Sequence, residues 1–324
     1  MLLSFVVPSY NEEGNVEKLY NEISRTFSER EEQVEVIFVD DGSSDATFDR
    51  LKELNQRYCN VRAISFSRNF GKDAAIYAGL EAARGDLVCI IDADLQQRPE
   101  VVVRMLDALG ADPSLDCVAA YQEKRHENRL VGSIKSLFYR IIGKMSDIDF
   151  MNGASDFRLM RRNMVNAILS LPERQRFSKG IFSYVGFKTA YIPYEVMKRE
   201  SGKTKWSFRK LLRYGADGIV SFSSSPLKIA NACGTLSILG SLAYVAVMLV
   251  RLFAFGISLP VYFWPVALLL FLGGIQLLCI GLIGRYIASV HNEVKNRPLY
   301  FIKTELPTRP TSEEFYREEH TEHV

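Results

Sequence analysis

Leu87-Val88-Cys89-Ile90-Ile91-Asp92-Ala93-Asp94-Leu95-Gln96 is a short apolar run that stops on two carboxylates. Five apolar residues without polar alternation read as a strand covered on both faces, the habit of parallel sheets flanked by helices. Asp92 and Asp94 therefore stand at the carboxyl end of a buried strand. There they suit a hard divalent ion that takes its other ligands from a diphosphate and water. The plain alternative is that they cap the next helix, and the preceding strand and nearby Gln96 favour the metal.

The same unit recurs upstream and downstream. Leu2–Val7, Val34–Val39, Val61–Ser65 and Cys117–Ala120 also read as strands. Val16–Phe27, Asp45–Arg57, Lys72–Ala83 and Pro99–Leu109 read as the helices between them. This alternation predicts an α/β fold with a doubly wound, mostly parallel sheet and a ligand site at the strands' carboxyl ends. Polar clusters lie where that rule expects them. Pro8-Ser9-Tyr10-Asn11-Glu12 follows the first strand and Asp40-Asp41-Gly42-Ser43-Ser44-Asp45 the second. The Asp40/Asp41 cluster reads both as a turn with a helix cap and as a nucleoside contact. Ser67-Arg68-Asn69-Phe70-Gly71-Lys72 follows the third strand, with Lys72 or Arg68 as a point charge for phosphate. It fails the Walker pattern, and no G-x-G-x-x-G occurs, which weighs against a dinucleotide oxidoreductase.

Composition changes along the chain. A formal net charge of +2 over 324 residues gives no reason to expect nucleic acid as a partner. Ile229–Val250 and Val261–Gly284 are uncharged and each is long enough to cross roughly 30 Å of hydrocarbon. Ser207–Phe222 resembles a helix lying in a membrane interface. Basic residues flank the apolar pair on both sides, which predicts a two-helix transmembrane hairpin with the catalytic domain and both termini cytoplasmic. The expected layout is a cytosolic catalytic domain over 1–206, a juxtamembrane segment over 207–228, two membrane helices over 229–287 and a cytosolic tail over 288–324. That layout predicts a multi-pass protein of the plasma membrane, in contact with membrane lipid. Ala230, Gly234, Ser237 and Ser241 offer a small-residue packing face, which raises a homo-oligomer.

The five cysteines show no C-x-x-C spacing and read as reduced packing residues, and the four histidines have no ligand spacing with them. Arg125, Arg129 and Ser133 share one face if their stretch is helical. With Arg199, Gly202, Lys203 and Lys205 they form two basic groups suited to an acceptor phosphate or to anionic headgroups.

Taken together, these motifs resemble glycosyltransferase family two, of the GT-A fold. Within it they are similar to the polyprenyl-phosphate glycosyltransferases, such as dolichol-phosphate mannose synthase and the bactoprenol glucosyltransferases. Asp156-Phe157-Arg158-Leu159-Met160, Arg176-Phe177, Gly180, Gly186-Phe187 and Tyr194-Glu195 extend the match, which runs from about Leu3 to Arg285. Ser155 stands where the family usually has glycine. The resemblance implies that Pro8, Tyr10, Glu12, Asp40 and Asp41 hold base and ribose, with Lys72, Asp92 and Ala93 completing the nucleotide-sugar site. It implies Mg²⁺ or Mn²⁺ on Asp92, Asp94 and Gln96, and catalytic roles for Asp94 and Asp156. Arg125, Arg129, Ser133, Arg199 and Lys205 would hold the phosphate of a polyprenyl acceptor. The implied reaction is inverting hexose transfer from a nucleotide sugar, with uridine-linked glucose or N-acetylglucosamine favoured, to undecaprenyl phosphate for cell-envelope glycosylation. Two rival readings stand beside this one. A processive polysaccharide synthase would carry Q-x-x-R-W, which is absent from this sequence. A non-catalytic scaffold would have little reason to keep the acidic and basic clusters.

Overall fold

The computed structural model describes residues 1–122, 154–171, 173, 176, 178–195, 250 and 263–308. Its centre is an eight-stranded sheet. The strands are β1 (Leu2–Ser9), β2 (Gln33–Asp40), β3 (Val61–Phe66), β4 (Leu87–Ile90), β5 (Cys117–Gln122), β6 (Ala154–Arg161), β7 (Thr189–Tyr194) and β8 (Ile302–Leu306). Their order is β7-β5-β6-β4-β1-β2-β3-β8. β1 through β4 pair in parallel, as the continuous apolar runs predict. The chain walks from β1 out to β3, then returns to the other side of β1 as β4. That reversal opens a crevice beyond the carboxyl ends of β1 and β4.

α1 (Val16–Phe27), α2 (Thr47–Arg57) and α4 (Pro99–Ala111) contribute to one core with a single face of the sheet. Val16, Leu19, Tyr20, Ile23 and Phe27 recur at helical spacing along α1 and meet Leu3, Phe5 and Val7 of β1. α3 (Lys72–Ala82) contacts β1 and β2, and also α5 (Arg162–Ser170). Covered on more than one side, it buries Ala74, Ala75, Ile76, Ala78, Gly79 and Leu80 and shows little amphipathic pattern. α6 (Ser178–Tyr184) packs near β6. Cys89 and Cys117 are buried, as packing residues would be, Cys59 is exposed, and among the described residues no cysteine forms a disulfide.

Three strands were not anticipated. β6 is antiparallel to both β4 and β5 and separates them, whereas β7 is parallel to β5. β8 lies antiparallel on the outer edge of β3 and shields it. Arg62 of β3 donates to the Ala82 carbonyl and pairs with Glu305 of β8 at 3.1 Å. Tyr300 stacks on Phe66 with ring centroids 4.7 Å apart.

The chain groups into two compact units, one holding the sheet and its helices, the other holding α7 (Phe263–Val294). Here the expectation of a transmembrane hairpin is corrected. Among the described residues, no helix is long and apolar enough to cross a membrane. The second apolar stretch forms α7, whose 32 residues run on through Arg285, His291 and Glu293 and intersperse Gly273, Gln276, Gly281 and Gly284 among the leucines. The plasma-membrane, multi-pass placement and its orientation fall with the hairpin. The first stretch, apart from Val250, and the interfacial segment lie outside the described residues.

Candidate active site

Four loops line the carboxyl edge of the parallel strands, and hydrogen bonds lace them together. Asn11, at positive φ after β1, receives its loop from both sides. Its backbone N–H donates to Ser43 Oγ at 2.8 Å, and its side-chain oxygen accepts from the Ser44 N–H at 2.9 Å. The Glu12 N–H donates to Thr47 Oγ1, and the Glu12 carboxylate accepts from Asn15 at 2.6 Å. Pro8 lies within β1 and Tyr10 directly follows it. The first two motifs therefore form one ledge.

Asp40 and Asp41 are both buried, and their carboxylates hold backbone and hydroxyl groups. Asp40 accepts from Ser65 Oγ at 2.7 Å and from the Ser43 N–H at 3.0 Å. Asp41 accepts from the Phe70 N–H at 2.6 Å and from the Gly71 N–H at 2.9 Å. Burial raises the Asp41 pKa, and the two backbone donors offset part of that. Gly42 has φ +64, and a Cβ there would lie 2.4 Å from the Arg68 carbonyl carbon, so only glycine lets the two loops meet. Of the two sequence readings, the loop-shaping one is visible in these contacts.

Gly71, at φ +105, turns the Ser67–Gly71 loop into α3 and makes Lys72 that helix's first residue. Lys72 then reaches two aspartates at once, Asp92 at 2.6 Å and Asp156 at 2.9 Å. Strand register explains how residues so far apart converge. β4 and β6 pair Cys89 with Leu159 and Ile90 with Arg158, and continuing that register two residues sets Asp92 opposite Asp156. Burial disfavours the Lys72 charge, but Asp156 and Asp92 outweigh it and raise its pKa. Burial also raises Asp92, with Lys72 opposing and Asp156 adding to the rise. Two carboxylates share one ammonium, and Asp94 brings a third.

Asp94 accepts from the Gln96 N–H at 3.2 Å, and Leu95 between them has φ +59. Ala93 is buried beneath this turn. The residue that orients Asp92 is Gln97, which the sequence reading passed over for Gln96. The Asp92 N–H donates to Gln97 Oε1 at 2.9 Å, and Gln97 Nε2 donates to Asp92 Oδ2 at 3.0 Å. Its signal was only a second glutamine after the acidic turn. Asp73 was also missed: half-buried and raised in pKa by desolvation, it accepts from the Ser178 N–H and hydroxyl and ties α3 to α6.

Other family markers carry structure. Arg176 caps α5 by donating to the carbonyls of Leu171 and Ile168, and lies 4.4 Å above the Tyr77 ring. Ser155 donates to the Ala120 carbonyl at 2.9 Å, binding β6 to β5. Arg158 is buried with its guanidinium 3.6 Å from the Phe182 ring centre. Arg125, Arg129, Ser133, Arg199 and Lys205, the expected acceptor residues, lie outside the described residues.

Among the described residues, no three histidine, cysteine, aspartate or glutamate side chains are grouped to hold a metal by themselves. A cation bridging a diphosphate needs only one or two carboxylates. Asp92 and Asp94, both partly exposed at the crevice, fit that smaller demand.

Residues 4–169 match the family described as Glycosyl transferase family 2. The chain belongs to glycosyl transferase family 2. It is thus a glycosyltransferase, an enzyme that moves a sugar from a nucleotide donor. CsbB of Bacillus subtilis is 40% identical over 302 residues, covering 93% of this chain and 91% of that one. The SfII prophage-derived bactoprenol glucosyl transferase of Shigella flexneri is 39% identical over 306 residues, 94% of this chain and 98% of that one. Among solved structures, glucosyl-3-phosphoglycerate synthase of Mycobacterium tuberculosis, with Mn²⁺, uridine diphosphate and phosphoglyceric acid, is 20% identical. It covers 68% of this chain and 76% of that one, with a TM-score of 0.49.

Proposed function

We propose that this glycosyltransferase transfers a hexose, glucose first among candidates, from a uridine diphosphate sugar to a polyprenyl phosphate, with inversion. The observation that carries the acceptor is the match along nearly the whole chain to a bactoprenol glucosyl transferase. The acidic turn after β4 supports the donor side. Asp92, Asp94 and Gln96 would hold Mg²⁺ or Mn²⁺. When bound, that ion supplies Lewis acidity and neutralises the departing nucleoside diphosphate. The chain's own residues do the rest. Gln97 fixes the Asp92 carboxylate toward the crevice. The ledge formed by Pro8, Tyr10 and Glu12 borders the space for base and ribose, and the buried Asp40 and Asp41 hold that ledge in shape. Lys72 carries a positive charge into the same space. A phosphate monoester is already an anion at neutral pH, so the nucleophile needs no strong base. Asp156 therefore serves to orient the sugar.

The test is a donor panel with undecaprenyl phosphate and Mg²⁺ or Mn²⁺, reading lipid-linked product. A single-sugar β-linked product from one uridine donor is expected. Turnover with a soluble phosphate acceptor alone, and none with the polyprenyl phosphate, would overturn the acceptor; a polymer would overturn single transfer.

A further inference from the structure

Among the described residues, Lys72 is the centre of an ion-paired cluster in the crevice, and the reaction chemistry above gives it no step. Its ammonium sits between Asp92 and Asp156 at 2.6 and 2.9 Å. The neighbouring charged groups are otherwise engaged. Asp73, next in the chain, faces Ser178, and Asp41 is taken up by the Phe70 and Gly71 amides. We infer that Lys72 is an internal counter-ion that occupies Asp92 until the divalent cation arrives with the donor, and then transfers to the donor's diphosphate. This rests on the metal-dependent reading of the site proposed above.

Three features support the exchange. The first is charge: one ammonium is divided between Asp92 and Asp156, so neither carboxylate holds it to itself. The second is attachment. Lys72 is held by its side chain alone, on a flexible four-carbon stem, and that side chain remains 37% exposed. The third is competition. An ammonium 2.6 Å from Asp92 Oδ1 is in the place where a metal ligated by that oxygen would repel it. A cation arriving alone must displace Lys72 without recompense. A cation arriving with a diphosphate brings the anion that accepts the lysine. The enzyme would therefore bind metal weakly by itself and well with the nucleotide.

The experiment is calorimetric titration of the full chain with Mn²⁺, with and without uridine diphosphate, for wild type, Lys72→Met and Lys72→Arg. Wild type should bind Mn²⁺ at least about tenfold more tightly with the nucleotide present. Lys72→Met should bind Mn²⁺ alone at least about tenfold more tightly than wild type, and lose most of the nucleotide-dependent gain. Lys72→Arg keeps the charge and holds carboxylates with a planar fork, so it should bind Mn²⁺ alone no more tightly than wild type. It keeps the test open should the methionine variant not fold, since tighter Mn²⁺ binding by the arginine variant overturns the inference. Lys72→Met binding Mn²⁺ alone equally or more weakly than wild type overturns it too. Failure of wild type to bind Mn²⁺ even with uridine diphosphate would instead overturn the metal reading on which the inference stands.

Discussion

Two pairs of aspartates stand at the same end of the sheet, and they are held in opposite ways. Asp40 and Asp41, after β2, accept hydrogen bonds from Ser65, Ser43, Phe70 and Gly71. Three of those four donors are backbone amides, which cannot leave without unfolding a loop. Asp92 and Asp156, across β4 and β6, share the ammonium of Lys72, which can leave by rotating its own side chain. The same residue type at the same end of the same sheet is scaffold in one place and exchangeable ligand in the other. What pairs with a carboxylate separates the roles better than its burial or its position in a motif.

That contrast can be broken by substitution. The largest effect is expected at the exchangeable pair and its neighbour. Asp94→Ala and Asp92→Ala should each lower kcat by at least about 10³-fold, the loss of several kcal/mol of transition-state stabilisation, with melting temperature little changed. Steady-state kinetics at saturating metal beside a thermal melt would check this; near-normal turnover would remove the metal assignment. At the scaffold pair the balance should invert. Asp41→Ala leaves two loop amides without their acceptor and should cost about 2–4 kcal/mol of stability, read by denaturant unfolding. Gln97→Leu lies between the two. It keeps Asp92 charged but unaligned, and should weaken metal affinity by about tenfold or more, as loss of a supporting hydrogen bond does elsewhere.

The smallest effect is a pH dependence. Burial raises the Asp41 pKa, so the native state binds a proton at higher pH than the unfolded chain does. Between the unfolded value, about 3.9, and the raised native value, this group adds stability as pH falls, and that contribution is gone above the native value. Asp41→Asn does not titrate, so its melting temperature should lose that increment. The difference between the two pH profiles, measured by thermal unfolding, should be confined to this mildly acidic window.

The sequence makes half of this sheet plain and conceals the other half for a physical reason. β1 to β4 are continuous apolar runs because helices cover both faces, and they stand within a residue or two of expectation. β6 reads Ala154-Ser155-Asp156-Phe157-Arg158-Leu159-Met160-Arg161, with Arg158 buried against an aromatic ring, so its polarity hides a strand. β8 is five residues on an edge, mostly exposed, with lysine, threonine and glutamate among them. The same gap hid the Lys72–Asp156 contact. Each residue stood out by itself, but only the antiparallel register of β6 on β4 sets Asp156 beside Asp92. The apolar stretch after residue 260 misled in the other direction. Its lack of charge predicted a membrane span, whereas the helix it forms is not long and apolar enough for one.

The most direct measurement is a crystal structure with Mn²⁺ and uridine diphosphate bound. Lys72 Nζ should then lie beyond about 4 Å from Asp92, the reach of an ion pair, and on a phosphate oxygen. Asp41 should keep its bonds to the Phe70 and Gly71 amides. Lys72 still bridging Asp92 and Asp156 with the nucleotide and metal in place would contradict the exchange.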